Sequence, residues 1–445
     1  MALPRGRRVV VAAGVVLVLT AGGIAGALVA GRTPPVPALH MAGIAEDPCP
    51  PRQAFTVSVS AKVRFLPDSS VLNTATSCTA AAVAVAVAAN KQWLDSGIVP
   101  GDSAMQRDLA TRALLDLRLS ILPNGAVVAA LYPKWNYTWP RDSSWVAVAL
   151  SATGHTGDAL SILRFLQSAQ RPDGTWAARY HTDWTGPVND GRPSELDAVG
   201  WVPWAVSSWA ATQQLTPGSA ARADLERLWP MVARAADAAV RSLTSDDLPQ
   251  SAMDYWEDSV QVTLGTAAPL LAGLRAASGL AGILADNADQ ARWRAAAIRL
   301  SGAITKNFGP TGYQRTPDAG SGADTAVTFL GPPFATPDAA VERAAGTAQR
   351  ALTQPSGGLR PGTAWPGASG VAFTPETAMF GLFDAATGQQ ASAQRLLTWL
   401  AAHRTTLGEL PEQVAPNGDP ISVAPLAWTD AIVLLTLTHA RSLSG

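Results

Sequence analysis

The stretch 102–120, DSAMQRDLATRALLDLRLS, decides the fold class of this 445-residue chain. Its apolar residues recur every three or four positions, the spacing of one face of a helix; they are Leu109, Leu114, Leu115, Leu117 and Leu119. Stretches of the same kind continue to the C-terminus and are joined by loops rich in Gly, Pro and Asp. The chain is therefore predicted to be mostly helical.

Helical spacing predicts eleven helices, at 102–120, 143–153, 156–170, 195–213, 219–243, 260–279, 283–307, 336–352, 374–387, 390–404 and 425–442. A further stretch at 79–94 is the candidate for a twelfth. Helices that expose one side only, or neither, must pack in two layers. The predicted fold class is all-α, an (α/α)6 barrel with six inner and six outer helices.

Composition limits the classes of function. With 47% hydrophobic and 15% charged residues the chain is globular and not disordered. A formal net charge of -1 gives no electrostatic reason to expect nucleic acid or an acidic polymer as partner. A neutral substrate fits better.

The N-terminus has the pattern of an export signal. Arg5, Arg7 and Arg8 precede residues 9–30, which carry no charge. This run is long enough to span a membrane, whereas 25–27, Ala-Gly-Ala, offers a cleavage site for a signal peptidase. Residues 1–32 are thus predicted to be a signal peptide or a membrane anchor. Either alternative puts the rest of the chain outside the cytoplasm, as an extracellular or a membrane-attached protein.

Residues 33–97 are predicted to form a linker and a small N-terminal segment before a helical domain at 98–445. The proline-rich part up to residue 53 is predicted to be extended, and the alternation of apolar residues over 55–65 predicts one β-strand. Cys49 and Cys78 are the only cysteines and are expected to form a disulfide in an oxidising compartment; the alternative is two free thiols. The cysteines and scattered histidines make no zinc site, and no metal or cofactor is expected.

Two short stretches suggest the chemistry. Residues 254–258, Asp-Tyr-Trp-Glu-Asp, and 411–413, Pro-Glu-Gln, each set a glutamate beside groups that bind sugars. Inverting hydrolysis of a glycoside needs one protonated carboxyl group and one ionised carboxylate. Glu257 is the predicted acid, because an apolar wall at Trp256 and a like charge at Asp258 would both raise a carboxyl pKa. Glu412 is then the predicted base.

The ordered motifs resemble glycoside hydrolase family 15, the glucoamylase and glucodextranase family. The matching stretches are 137–142, Tyr-Thr-Trp-Pro-Arg-Asp; 195–201, Glu-Leu-Asp-Ala-Val-Gly-Trp; 255–258, Tyr-Trp-Glu-Asp; 410–413, Leu-Pro-Glu-Gln; and 426–429, Leu-Ala-Trp-Thr. The resemblance covers about residues 98–442. It implies an (α/α)6 barrel, release of terminal α-linked glucose from oligosaccharides or polysaccharides with inversion, and the same roles for Glu257 and Glu412.

The remaining predicted site residues are substrate contacts. Arg141 and Asp142 are expected to grip the hydroxyl groups of the terminal sugar. The other predicted contacts are Tyr137, Trp139, Asp197, Trp256, Asp258, Gln413 and Trp428. The family supplies one more arginine between acid and base, for which Arg360 is the first choice and Arg315 the second. Trp135 stands where the family often has a tyrosine that helps to hold the catalytic water, so that Tyr132 or Tyr137 would have to replace it.

Simpler explanations exist for several of these residues. Arg141 and Asp142 could only cap a helix, and the tryptophans at 201, 204 and 209 could only fill the core. A trehalose-cleaving or phosphorolytic relative on the same barrel is the alternative among enzymes. A non-catalytic surface protein that binds glycans is the alternative from another class.

Overall fold

A computed structural model describes residues 34–442, except for residues 52, 76, 77 and 184. The predicted export segment at 9–30 lies outside the described residues. The helices are α1 (Ala80–Asp95), α2 (Ala104–Ser120), α3 (Pro140–Ala152), α4 (Thr156–Ala169), α5 (Ala198–Ala211), α6 (Ala220–Ser242), α7 (Leu264–Ile283), α8 (Asn287–Phe308), α9 (Ala339–Leu352), α10 (Thr374–Ala386), α11 (Gln390–Ala402) and α12 (Ala427–Ser442). All eleven predicted helices and the twelfth candidate are therefore present.

Two concentric rings make up the barrel, which confirms the predicted (α/α)6 architecture. The inner ring runs α3, α5, α7, a 3-10 segment at Thr325–Leu330, α10 and α12, and α12 closes it against α3. Each inner element packs against one outer helix: α4, α6, α8, α9, α11 and α2, in the same order. Twelve of the thirteen residues of α3 are buried, whereas α9 buries only one face. This difference is what a double layer requires.

The sixth inner element differs from the prediction. It is not the helix at 79–94, because α1 packs on the outer face of α2, outside the rings. The inner position is filled by the six buried residues Thr325–Leu330, which are too short to show helical periodicity. Asp324 caps this segment by accepting from the Ala326 N–H, and Gly331 and Pro332 end it.

Aromatic side chains fill the centre of the inner ring. Trp145, Trp201, Trp204, Phe329 and Phe334 lie with ring centroids 5.0–6.2 Å apart, mostly edge to face. Trp201 is fully buried among them, so simple packing explains it. Among the described helices, α7 is long and apolar enough to span a membrane, but it packs between α5 and α8.

The N-terminal segment folds onto the barrel. Strands β1 (Gly43–Glu46) and β2 (Ala54–Val57) pair antiparallel, with Gly43 opposite Val57. The predicted strand at 55–65 is wrong beyond Val57, because a turn closed by the Ala61 N–H on the Ser58 carbonyl interrupts it. β1 itself lies in the stretch predicted to be a linker. Its only sequence signal is the short apolar run around Ile44.

The predicted disulfide between Cys49 and Cys78 is confirmed, with the two Cα atoms 5.5 Å apart. It joins the chain just after β1 to the residue before the N-cap of α1. Three two-residue strands form a small sheet at the mouth of the barrel: β3 (Ala372–Phe373), β4 (Gln413–Val414) and β5 (Pro420–Ile421), with β4 in the centre. No strand was predicted at these positions, since two residues show no alternation.

Candidate active site

A cavity of about 420 Å³ opens where the inner helices begin. Trp139 precedes α3, Phe373 precedes α10, and Trp428 lies in the first turn of α12. The polar residues of its wall include His40, Lys134, Arg141, Asp142, Glu257, Glu376, Glu412, Gln413 and Ser422, and its rings include Trp135, Trp139, Tyr255, Trp256, Trp365 and Trp428. The fold thus brings both predicted catalytic glutamates into one cavity, although 155 residues separate them.

Glu257 lies among hydrogen-bond donors and cations. Its Oε1 accepts from Trp139 Nε1 at 3.0 Å and lies 3.6 Å from Arg141 Nη2. Its Oε2 forms an ion pair with Arg192 Nη1. The backbone of Glu257 has φ of 55°, in the left-handed region that a glutamate rarely adopts. The side chain is 11% exposed, which leaves it accessible from the cavity.

Arg315 holds the loop that carries Glu257. Its guanidinium pairs with Asp254 at 3.0 Å and with Asp258 at 3.1 Å, and it stacks 3.6 Å above the ring of Trp256. The Asp254 carbonyl accepts from the Glu257 N–H at 2.9 Å, which closes the turn. The surroundings of Glu257 therefore differ from those predicted, which were Trp256 and Asp258. Trp256 and Asp258 are engaged by Arg315, and the groups that contact Glu257 are Trp139, Arg192 and Arg141.

Glu412 is held by three donors. Trp135 Nε1 donates to Oε1 at 3.3 Å, while the Ser422 hydroxyl and Gln413 Nε2, at 3.3 Å, donate to Oε2. Trp135 therefore contacts the predicted base itself, and neither Tyr132 nor Tyr137 replaces it. The Tyr132 ring stacks on His40 at 4.4 Å, and the Tyr137 ring lies under Arg179.

Burial governs the titration of two carboxyl groups beside the cavity. It raises the pKa of Glu412, and the three donors from Ser422, Trp135 and Gln413 lower it only in part. It also raises the pKa of Glu376, in the first turn of α10, to about 8. The Glu412 and Asp324 charges add to this increase, and the Glu376 Oε2 is buried without a hydrogen-bond partner. Glu376 is thus a neutral acid at pH 7.

Arg141 is the centre of a buried ionic cluster. It pairs with Glu195, with Asp197 at 3.3 Å and with Asp142 at 3.5 Å, and it lies 5.1 Å above the ring of Trp428. Burial alone would lower its pKa, but the carboxylates of Glu195, Asp197, Asp142 and Glu257 outweigh that effect and raise the pKa well above its usual value. Arg141 is therefore always charged, and it orders the floor of the cavity.

Asp142 and Asp197 differ in their access to the cavity. Asp142 lines it, and burial raises its pKa to about 6, although Arg141 opposes the shift. Its Oδ2 is buried, has no hydrogen-bond partner and lies 3.5 Å from Arg141 Nε. Asp197 directly precedes α5 and is 1% exposed. It forms an ion pair with Arg141 and does not line the cavity. Asp142 is the third residue of α3 and was predicted to lie just before that helix.

Five of the predicted residues lie outside the lining of this cavity: Asp197, described above, and Tyr137, Asp258, Arg360 and Arg315. Tyr137 is covered by Arg179 at 4.4 Å, and Asp258 pairs with Arg315. Arg360 donates to the Trp365 carbonyl, and Arg315 supports the acid loop from behind. Neither arginine lines the cavity that contains the two glutamates. Trp139, Arg141, Asp142, Trp256, Gln413 and Trp428 do line the cavity.

Several residues of the site were not predicted. Arg192 has no recognisable signal, because it belongs to an irregular loop whose position depends on the whole barrel. Glu195 stands inside a quoted motif, and its charge beside Asp197 was the one available sign of an arginine partner. The N-terminal segment also contributes: the His40 N–H donates to the Ser422 carbonyl at 2.8 Å, and His40 lines the cavity. A segment without periodicity gave no indication of this docking.

Comparisons with known proteins agree with this architecture. An uncharacterized glycosyl hydrolase of Methanocaldococcus jannaschii is 24% identical over 356 residues, which are 74% of this chain and 55% of the relative. The chain therefore spans about half the length of that relative. No family model matches the chain.

Solved structures share the fold at low identity. A wild-type glycosidase superposes with a TM-score of 0.63 at 21% identity and covers 77% of this chain and 99% of its own. A bacterial glucoamylase complexed with acarbose gives 0.63 at 16% identity, covering 81% of this chain and 59% of its own. The glucoamylase from Saccharomycopsis fibuligera gives 0.59 at 13% identity, with 78% and 98% covered. The chain thus has the (α/α)6 barrel fold of glucoamylases and related glycosidases, as its motifs predicted.

Proposed function

We propose that this protein is an exo-acting, inverting α-glucosidase of glucoamylase type. The observation that carries the proposal is the placement of Glu257 and Glu412 in one cavity, beside the buried cluster of Arg141 and Asp142. In an inverting reaction the acid protonates the oxygen that leaves C1, and the base takes a proton from the water that attacks C1 from the other side. The two glutamates supply these two functions.

The hydrogen bonds at Glu412 support its assignment as the base. Three donors point at its two oxygens, and a carboxylate that only accepts hydrogen bonds is the form that can take a proton from water. Burial raises its pKa, so we expect activity to fall as the pH drops through that pKa and Glu412 becomes protonated.

The floor of the cavity supports an exo-acting enzyme. Arg141 is fixed by Glu195 and Asp197, and both Arg141 and Asp142 line the cavity. Trp139 and Trp428 add aromatic surface for the apolar face of a sugar. A terminal glucose bound by these groups would leave no path for the chain to continue past it. The relatives named above as glucoamylases and glycosidases are consistent with this substrate class.

We further propose that the protein acts outside the cytoplasm, either secreted or attached to the membrane through residues 9–30. The disulfide between Cys49 and Cys78 supports this, because such bonds persist in oxidising compartments. The positive flank and the uncharged run at the N-terminus agree with it.

The test begins with product analysis on maltose, isomaltose, trehalose and dextran. Proton NMR of fresh product should show β-glucose first; the α-anomer would mean retention and would refute the scheme. Cleavage of trehalose alone would favour the trehalose-cleaving alternative. If no compound is cleaved but sugars bind, the protein is a glycan-binding protein instead.

Two variants assign the glutamates. Glu257→Gln should lower the rate on maltose by about 10²–10⁴-fold and should affect α-glucosyl fluoride much less, because fluoride leaves without a proton. Glu412→Gln should slow both substrates alike, since water loses its proton acceptor. Glu342→Gln, in the first turn of the outer helix α9, is the matched control and should leave both rates unchanged. Equal losses on maltose and fluoride for Glu257→Gln would remove it as the acid.

A further inference from the structure

A second cavity, of about 280 Å³, lies next to the candidate acid. Its wall is formed by two chain segments, 171–179 and 187–192. Three arginines line it, Arg171, Arg179 and Arg192, together with one carboxylate, Asp190. The net charge of the whole chain, -1, gives no indication of this local excess of positive charge.

The two cavities meet at two contacts. Arg192 lines the second cavity and pairs with Glu257 Oε2, whereas Glu257 Oε1 faces Trp139 in the first. Arg179 lies 5.2 Å from the centre of the Trp139 ring. An acid that protonates a leaving oxygen lies on the leaving group's side of the sugar. The arginine-lined cavity therefore adjoins the group that would protonate the leaving oxygen.

Arg179 keeps a donor that the described part of the protein does not use. It binds Asp190 at 2.5 Å and the Lys134 carbonyl at 3.3 Å, but its buried Nε has no hydrogen-bond partner. Asp190 Oδ2 also lies 3.8 Å from Arg192 Nε, so that one carboxylate forms ion pairs with two guanidinium groups. Guanidinium groups bind planar carboxylates and phosphates through paired donors. A second anion would complete the charge balance of this cavity.

The ion pair of Arg192 with Glu257 also conflicts with the role of Glu257. A guanidinium group only donates hydrogen bonds, so Oε2 cannot direct an acid proton to a leaving oxygen while Arg192 occupies it. We propose that the cavity lined by Arg171, Arg179 and Arg192 binds an anionic group, a carboxylate or a phosphate, on the leaving group of the α-glucoside. The anion would draw Arg192 away from Glu257 Oε2 and leave that oxygen able to hold the proton.

This inference rests on the proposed function and makes its substrate class narrower. The reaction remains a hydrolysis in which the C1–oxygen bond breaks, the leaving oxygen takes the proton of Glu257, and water adds to C1 and gives a proton to Glu412. The product that leaves is an anionic alcohol, held by arginines until Glu257 is protonated again.

The test compares sugars that differ only in the charge of the leaving group. Maltobionate and maltitol share the linkage and the open chain and differ in a carboxylate against a hydroxymethyl group. Trehalose 6-phosphate and trehalose form the phosphate pair. Calorimetric binding to the Glu412→Gln variant separates binding from turnover. The anionic member of at least one pair should bind about 10-fold more tightly at low salt, and the preference should shrink as salt is added.

Variants test whether the preference for anionic sugars arises in the arginine-lined cavity. Arg171→Gln, which removes a cation that does not touch Glu257, should bring the affinity ratio toward one, whereas Arg171→Lys should keep part of it. Arg164→Gln, on the surface of α4, is the matched control and should leave the ratio unchanged. A preference for the carboxylate pair alone, or for the phosphate pair alone, identifies the anion.

Equal or weaker binding of both anionic sugars, or no binding of any of the four, would overturn the inference. The proposed function fails in a different way: the anionic sugar binds with the expected preference, but the wild-type protein releases no glucose from it. Preferential hydrolysis of the neutral members by the wild-type protein would leave the α-glucosidase standing and refute the anion site.

Discussion

Glu376→Gln should make the stability of this protein less sensitive to pH. Glu376 is 3% exposed in the first turn of α10, and burial raises its pKa from 4.5 to about 8. Between these two values the unfolded chain releases the proton of Glu376 while the folded protein keeps it. Because the folded pKa is the higher one, wild-type stability falls as the pH rises through this window.

The size of the effect follows from the two pKa values. From pH 5 to pH 7 the wild-type loses about 2 to 3 kcal/mol through this group, at roughly 1.4 kcal/mol per pH unit. Glutamine has the same shape but no titrating proton, so its variant does not suffer this loss. The buried amide brings its own cost of about 1–3 kcal/mol, which is the same at both pH values and cancels in the comparison.

Urea unfolding of both proteins at pH 5 and pH 7 measures this difference. The free energy of unfolding of Glu376→Gln relative to wild-type should increase by about 2 kcal/mol or more between the two conditions. The same increase should be absent in Glu342→Gln, a first-turn glutamate of the outer helix α9. If the two glutamine variants respond alike to pH, Glu376 is ionised in the folded protein, and the burial argument is refuted.

Three further predictions concern the site and its support. Trp135→Phe removes the Nε1 donor to Glu412 and should lower kcat about 10-fold with a smaller change in KM, because the base is mispositioned; an unchanged kcat would mean that Ser422 and Gln413 hold it without Trp135. Arg141→Lys keeps the charge but loses the planar, two-pronged set of guanidinium donors, and should lower turnover by about 10-fold or more while the protein stays folded. Normal kinetics with a strongly lowered Tm would make Arg141 a structural residue. Cys49→Ser should lower the free energy of unfolding by about 3 to 4 kcal/mol through loss of a 29-residue crosslink, with little effect on activity; mass spectrometry that finds alkylatable thiols in the wild-type protein would contradict the bond.

The helices could be predicted from the sequence because each is a local pattern. Every window from 102–120 to 425–442 overlaps the helix found there. The inner 3-10 segment Thr325–Leu330 could not be predicted, since six buried residues without a repeat look like a loop. The prediction of a strand over 55–65 was too long, because a local pattern was present without the structure it indicates. The apolar alternation continues past Val57, although the backbone turns at Ser58.

The residues of the site also differ in whether a local sequence pattern predicts them. Residues that stand in motifs, such as Glu257 and Glu412, could be predicted from the sequence to share a site, and the structure places both in one cavity. Their partners cannot, because Arg192 and Ser422 reach them through the packing of separate loops. The arginine sought between acid and base was placed at Arg360 on sequence position alone, and position along the chain does not determine direction in space.

Backbone strain at Glu257 and at Ser422, which holds Glu412, could not be predicted from the sequence. Glu257 has φ of 55°, and Ser422, which donates to Glu412, has φ of 70°. Such conformations cost about 1–2 kcal/mol for residues other than glycine, and neither position holds a glycine. At Glu257 the turn from Asp254 and the grip of Arg315 supply the contacts that enforce the conformation. At Ser422 the backbone is held by Ala38 and His40 of the N-terminal segment. The strained residues therefore hold one carboxylate and one donor at the same cavity. Removing residues 34–40, several of which also line this cavity, should release Ser422 and disturb the base while the barrel stays folded.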